Sequence, residues 1–266
     1  MHEANFDVAG QTAIVTGASQ GIGRSIAETL AAGGANVAIC SRAQERVDPV
    51  AEAINEADGV DGECLAVECN VRERDDVEAL VEATVEAFGG VDVLVSNAGG
   101  EFVAPFEDIS PNGWNAIVDL NLGGTYHCAQ VAGEVMRENG GGTIINMASV
   151  NGQHAAPGES HYGASKAAII RLTETLAVEW ATHGIRVNCV APGLIQTPGV
   201  ADTLGIDAKD MPPREEVDRR IGYGEDIADV VQFLASPAAA FVNGETVTVK
   251  GVPRPGNSMS ADDLGL

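Results

Sequence analysis

The sequence predicts an α/β fold: a doubly wound parallel sheet of about seven strands, in a single domain covering residues 1–266. Three observations predict it. Short apolar runs rich in β-branched residues alternate with segments of helical periodicity along the chain. The connections are short, and no composition break, internal repeat or low-complexity stretch marks a second domain. A glycine-rich turn, TGASQGIG (16–23), joins the first apolar run to the first helical segment. Apolar strands separated by helices read as a parallel sheet covered on both faces.

The elements follow in order. TAIVTG (12–17) is the first strand. In GIGRSIAETLAAGG (21–34), Ile22, Ile26 and Leu30 share one helix face, and Gly33-Gly34 ends it. ANVAIC (35–40) is a strand, and 43–57 a helix despite Pro49. CLAVECNV (64–71) is the third strand. The segment 74–88 is an amphipathic helix with Val77, Leu80, Val81, Thr84, Val85 and Phe88 inward. Strands at 91–99, 141–149, 184–193 and 244–251 complete the sheet, with helices at about 113–138, 161–182 and 225–235 between them. The stretch 194–222, with Pro198, Pro212 and Pro213, has weak periodicity. A long loop after a strand end in an open α/β sheet is a place for ligands, so it reads as a substrate lid with a short helix. The tail beyond Gly251 reads as peripheral or as part of a subunit contact.

Composition excludes several function classes. Hydrophobic content of 45% is enough for a sizeable core. No run reaches the ~18 apolar residues of a membrane span, and the first residues lack the basic-then-apolar pattern of a secretory signal. Cys40, Cys64, Cys69, Cys128 and Cys189 form no CxxC pair and read as buried, reduced thiols of a cytoplasmic protein. The chain calls for no metal. Its 39 acidic against 15 basic residues give a net charge of −24, which argues against nucleic acid or an anionic membrane as partner and leaves a small-molecule substrate. The skew towards Asp and Glu, with three lysines, resembles the cytosolic proteins of extreme halophiles. At about 1 M salt the Debye length is only ~3 Å, so self-repulsion is screened.

Gly17, Gly21 and Gly23 permit a tight turn and let the backbone approach a pyrophosphate, which the first helix meets with open N–H groups and its positive dipole end. The second strand ends in ICSRAQ. No acid stands at Ser41 to bind a ribose hydroxyl, and Arg42 suits a 2′-phosphate, so NADP(H) is expected, with NAD tolerated if Arg42 is only a solvated side chain.

Tyr162 and Lys166 stand four apart in HYGASKAAII, on one face of a helix. With so few tyrosines and lysines, about 0.03 such pairs are expected by chance on composition. An ammonium at ~4 Å in an effective dielectric of ~20 favours phenolate by ~4 kcal/mol before desolvation, or up to ~3 pKa units. The pair can therefore donate and accept a proton near working pH.

Taken with TGASQGIG, SNAG (96–99), Asn121 in NLGGTYH, Ser149 and Pro192-Gly193, the chain over about residues 6–252 resembles the short-chain dehydrogenase/reductases. The resemblance implies a Rossmann-type fold and a homotetramer. It implies Tyr162 as general acid/base, Ser149 as hydrogen-bond donor to the substrate oxygen, and Lys166 as the residue that lowers the tyrosine pKa and holds the nicotinamide ribose. Asn121 would hold a relay water. Ser19, Ile22, Val71, Asn97, Ala98, Gly99, Ile195 and Thr197 would join the glycines, Ser41, Arg42, Pro192 and Gly193 around the cofactor. Asn70 stands where the family usually has an adenine-binding Asp, Ser96 replaces the commoner Asn, and Lys250 replaces an acid near the tetramer edge.

The stretches around 97–114 and 176–197 look closest to enoyl- and dienoyl-thioester reductases and citronellol-type alcohol dehydrogenases. The thioester branch often lacks the tyrosine, so Tyr162 favours ketone/alcohol chemistry, on a 3-oxoacyl thioester or, alternatively, a sugar, polyol or terpenoid alcohol. Substrate contacts are expected from Gly100 to Phe102, Asn151 to His154 and the lid, where Arg214, Arg219 and Arg220 either meet an acyl-carrier phosphate or are surface charges. His154 reads more readily as a solvated loop residue. A non-catalytic NADP-sensing regulator is the reading from another class; the full Asn-Ser-Tyr-Lys set argues against it. The charge balance makes one prediction: the thermal midpoint rises between dilute buffer and molar KCl, and a midpoint that stays level or falls refutes salt adaptation.

Overall fold

The structure, a computed structural model, describes residues 5–204, 207, 210–216 and 221–251. The tail beyond Gly251 and the lid residues Arg219 and Arg220 lie outside the described residues. One seven-stranded sheet runs in the order β3-β2-β1-β4-β5-β6-β7, and its strand pairs are parallel. The strands are β1 (Thr12–Thr16), β2 (Asn36–Ser41), β3 (Cys64–Glu68), β4 (Val93–Ser96), β5 (Gly142–Met147), β6 (Ile185–Pro192) and β7 (Thr246–Val249). The helices are α1 (Gly21–Ala32), α2 (Gln44–Asn55), α3 (Arg74–Phe88), α4 (Pro111–Val118), α5 (Gly124–Glu138), α6 (Ser160–Glu179), α7 (Pro198–Leu204) and α8 (Gly224–Ala235).

Successive strand residues point to opposite faces, and each face meets its own helices. On one face Val15, Val37, Ile39, Val95 and Ile145 pack with Ile26 and Leu30 of α1, Val50 of α2 and Ile227 and Val231 of α8. On the other, Ile14, Ala38, Leu94, Ile144 and Val187 pack with Leu80 of α3, Met136 of α5 and Ala177 of α6. Both faces are buried, which is why the strands read as continuous apolar runs. All five cysteines are buried and free. No described helix is long and apolar enough to cross a membrane.

Two departures from the sequence reading bear on function. The predicted helix at about 113–138 is two helices joined by a π turn at Asp119–Gly123, which carries Asn121. Such turns break the helical ladder locally and favour functional positions. Among the described residues of the predicted lid, α7 is helical, and it starts at Pro198, where the missing N–H costs nothing.

The chain lays β2 and β3 on one side of β1, then crosses to β4 on the other. A crevice opens at that reversal, at the carboxyl ends of β1 and β4. Leu94, on β4 beside it, is 1% exposed. We expect Leu94→Ala to cost about 2–5 kcal/mol in denaturant unfolding at high salt; a loss below about 1 kcal/mol would mean that this face repacks freely.

Candidate active site

The crevice is built around the turn between β1 and α1. Gly17 (φ +67°) and Gly21 (φ +57°) take left-handed conformations that side chains rarely adopt, and a Cβ on Gly17 would lie 2.8 Å from Ala98 Cα. Gly23 is needed for space: its Cβ would meet Asn97 Nδ2 at 2.4 Å. Asn97 Nδ2 donates to the carbonyls of Thr16 (2.9 Å) and Gly17 (3.2 Å), and Thr16 Oγ1 accepts from the Asn97 and Ala98 amides, both at 3.0 Å. The SNAG segment thus ties the end of β4 to the glycine turn. Gln20 at the α1 N-cap makes no side-chain cap, so no side chain closes the N-terminal turn of α1.

A cavity of about 580 Å³ follows this turn. Gly17, Ser19, Gly21, Ile22, Gly23, Ser41, Arg42, Asn70, Val71, Asn97, Ala98, Gly99 and Thr197 all line it, as expected from the sequence. So do Gln20, Arg46 and Leu120, which the sequence reading missed. Arg46 stands in the first turn of α2, just after the loop that carries Arg42. The volume, the uncapped helix end and the two arginines suit a dinucleotide with its phosphates. Asn70 Oδ1 is held by Arg72 Nε at 3.3 Å, which fixes the amide at the expected adenine position.

Pro192, Gly193 and Ile195 lie outside that lining. Gly193 packs on Lys250, and its amide donates to Val249 O at 2.8 Å. The Ile195 side chain is buried in the core and lines a separate cavity of about 170 Å³ with Ile221 and Gly222. Arg214 pairs with Asp226 (3.0 Å) and Asp229 on α8.

The reaction-centre residues converge beyond the glycine turn. Ser149 caps a short 3₁₀ turn after β5, its Oγ accepting from Asn151 N at 3.1 Å. Its hydroxyl lies near the Tyr162 phenol and favours the ionised form. Tyr162 and Lys166 share a face of α6, with Lys166 Nζ 5.6 Å from the tyrosine ring centre. Nζ donates to Met147 O at 2.8 Å, and burial pushes this lysine down to about 8.

One expectation is corrected. The Tyr162 phenol lies above its usual range, because burial and the Glu101 carboxyl outweigh the influence of the Ser149 hydroxyl. Desolvation of the phenolate wins over lysine proximity. The Asn121 amide spans two segments: Oδ1 accepts from Gly100 N (2.9 Å), and Nδ2 donates to Gly100 O (3.1 Å) and Ser165 Oγ (3.0 Å), clamping the loop after β4 to α6.

Of the expected substrate contacts, His154 is exposed, whereas Asn151 donates to Glu159 Oε2 at 2.8 Å. Glu101 is exposed, yet partial burial of its carboxyl and the nearby Glu159 charge push it up to about 7. Sequence reasoning passed over Glu159, although it stands three residues, one helical turn, before Tyr162.

Known proteins carry the same pattern. A family profile described as "Enoyl-(Acyl carrier protein) reductase" matches residues 17–251. The chain is 40% identical over 242 residues to a 3-oxoacyl-[acyl-carrier-protein] reductase of Staphylococcus aureus, covering 91% of this chain and 97% of that protein. It is 39% identical over 246 residues to a 3-oxoacyl-[acyl-carrier-protein] reductase of Synechocystis, covering 91% and 96%. A crystal structure of a short-chain type dehydrogenase/reductase from Mycobacterium marinum superposes with a TM-score of 0.81 at 35% identity, covering 92% of this chain and 96% of that one. With the glycine turn and the buried Lys166 beside Tyr162 on one helix face, the chain belongs to the short-chain dehydrogenase/reductase family of NAD(P)-dependent oxidoreductases.

Proposed function

We propose that the protein interconverts a ketone and a secondary alcohol with NADP(H). The observation that carries this reading is Tyr162 on one face of α6 with the buried Lys166, Nζ 5.6 Å from its ring centre, with Ser149 nearby and a cavity suited to a dinucleotide next to Lys166 at Gly99. NADPH, when bound, supplies the hydride. Ser149 Oγ holds the substrate oxygen beside Tyr162 Oη, and the phenol gives up its proton as negative charge develops there. A phenol held above its usual range is in the acid form at neutral pH, which suits reduction. Lys166 holds the ribose hydroxyls and, through its charge, stabilises the phenolate left behind. Asn121 positions the loop that closes the far side through its bonds to Gly100 and Ser165.

NADP rests on Arg42 and Arg46 at the cavity wall, where a second-strand acid would stand in an NAD site. The relatives named 3-oxoacyl-[acyl-carrier-protein] reductase support a 3-oxoacyl thioester as substrate. A second reading, a hydroxylated ketone or polyol, is favoured by the Glu101 and Glu159 carboxyls, whose charges act on Tyr162. We further propose a homotetramer, on family resemblance.

NADPH oxidation with acetoacetyl-CoA at high salt is the direct assay. We expect Tyr162→Phe to lower kcat by at least ~100-fold while NADPH still binds; unchanged turnover would remove Tyr162 from the chemistry. We expect Arg42→Asp to move the ratio of kcat/KM for NADPH over NADH towards NADH by at least about tenfold, the worth of one lost charge-assisted pair. An unchanged ratio would sink the assignment of NADP.

A further inference from the structure

The segment after β3 forms one wall of the 580 Å³ cavity. Cys69 N donates to Ser41 O at 2.8 Å, so Asn70 and Val71 stand beside the end of β2, where Ser41, Arg42 and Arg46 also line the cavity. With a 2′-phosphate at the two arginines, the base of the dinucleotide lies at this end, because one ribose carries both.

Arg72 decides what Asn70 shows to that base. The Asn70 backbone is pinned on both sides: its amide donates to Asp76 Oδ2 at 3.0 Å, and its carbonyl accepts from Glu73 N at 2.8 Å. In the side chain, Oδ1 accepts twice from Arg72, from the backbone N at 3.4 Å and from Nε at 3.3 Å. An amide oxygen has two lone pairs, and both are in use. A guanidinium has only donors, so the opposite orientation of the amide would set N–H against N–H. Asn70 lines the cavity and Arg72 does not. The oxygen therefore turns to Arg72, and Nδ2 is the side-chain group left to the cavity. Among the described residues Nδ2 has no acceptor, and neither has the N–H of Val71, the next residue on the same wall.

This wall offers donors where the base must lie. Adenine answers them poorly, since its 6-amino group is itself a donor beside the N7 acceptor. A 6-oxopurine carries an acceptor in that place, and its O6 and N7 are neighbouring acceptors. Turning the Asn70 amide to accept from an amino group would cost both bonds from Arg72.

We propose that Asn70 is a specificity-determining residue that meets the dinucleotide base as a hydrogen-bond donor, with Arg72 as its positioning residue, so that the cavity takes a 6-oxopurine dinucleotide at least as well as the adenine form. The proposal rests on the cavity being a dinucleotide site with its base beside β2. It concerns binding alone and leaves the hydride chemistry unchanged. A carboxylate at position 70 would only accept, so it reverses the preference in favour of the 6-amino group.

The test is a fluorescence titration with NADPH and with its hypoxanthine analogue, which differ by an amino or an oxo group at C6 of the purine and share the reduced nicotinamide that gives the signal. The Kd for each is measured at high salt in the wild type, Asn70→Asp and Arg72→Ala, with thermal unfolding confirming that each variant is folded. NADH and its hypoxanthine analogue repeat the comparison without the 2′-phosphate. We expect the wild type to bind the hypoxanthine form at least as tightly as the adenine form. Asn70→Asp should move the ratio of the two Kd values about tenfold towards adenine. Arg72→Ala, which frees Oδ1, should move it the same way by less. Tighter binding of the adenine form by the wild type, or a ratio unmoved in Asn70→Asp, would overturn the proposal. A ratio unmoved in Arg72→Ala would overturn the positioning role of Arg72, since a merely structural loss weakens both forms alike. Binding of no dinucleotide at all would remove the reading of the cavity, and this proposal with it. Binding of both forms with adenine preferred would leave that reading standing and remove only the role of Asn70.

Discussion

Lys166 carries an ammonium into the interior, where its protein hydrogen bond is to the carbonyl of Met147 at 2.8 Å. A buried charge must be compensated, and the architecture of the site follows from that demand. Burial pushes the lysine down to about 8, while the Glu101 carboxyl acts to hold its charge. Room for Nζ depends on Gly99, whose Cβ would lie 3.4 Å from Nζ and 2.9 Å from Asn121 Oδ1. Asn121 can stand there because the helix relaxes into a π turn at that point. On the proposed reading, ribose hydroxyls of a bound dinucleotide would be further partners of Nζ.

The same economy governs the tyrosine. Proximity to a lysine does not by itself produce a phenolate, because the phenolate is desolvated too and faces carboxyls as well as an ammonium. The protein alone holds Tyr162 as a phenol, primed to give its proton. The positive charge of an oxidised nicotinamide would move the balance the other way, so the proton affinity of the tyrosine is coupled to the state of the cofactor. Acids in the site also differ from acids on the surface. Most of the 39 acidic residues serve solvation of the chain, whereas the charges of Glu101 and Glu159 act on Tyr162.

The sheet supplies the rigid frame for this. Both of its faces are covered by apolar helix faces, so strand ends cannot shift without disturbing two packed layers. At the strand-order reversal, Asn97 and Thr16 lock the ends of β4 and β1 together and present the glycine turn at fixed distance from Ser149 and α6. Arg186 does similar work at the far side: its guanidinium donates to the carbonyls of Leu234 and Ala239 and to Thr143 Oγ1, joining β6 to β5 and to the end of α8.

The strands, most helices, the glycine turn and the Tyr162–Lys166 pair were legible in the sequence because they depend on local periodicity and on spacing along one helix. Helix α3 was predicted over 74–88 and spans Arg74–Phe88. What escaped depends on contacts between segments distant in the chain. The π turn has no periodicity signal, since the residues on either side remain helical. The side chain of Ile195 turned inward because the core at Gly222 takes it, 27 residues later in the chain. The charges of Glu101 and Glu159 act together on Tyr162 only because β4 and α6 converge, and nothing in either segment announces a partner across that gap. The sequence by itself determined the fold class, the dinucleotide-type turn and the placing of Tyr162 and Lys166 on one helix face, all of which are local in origin. The tertiary structure decided the charge states around Tyr162, because these depend on burial and on charges that only the folded chain brings together.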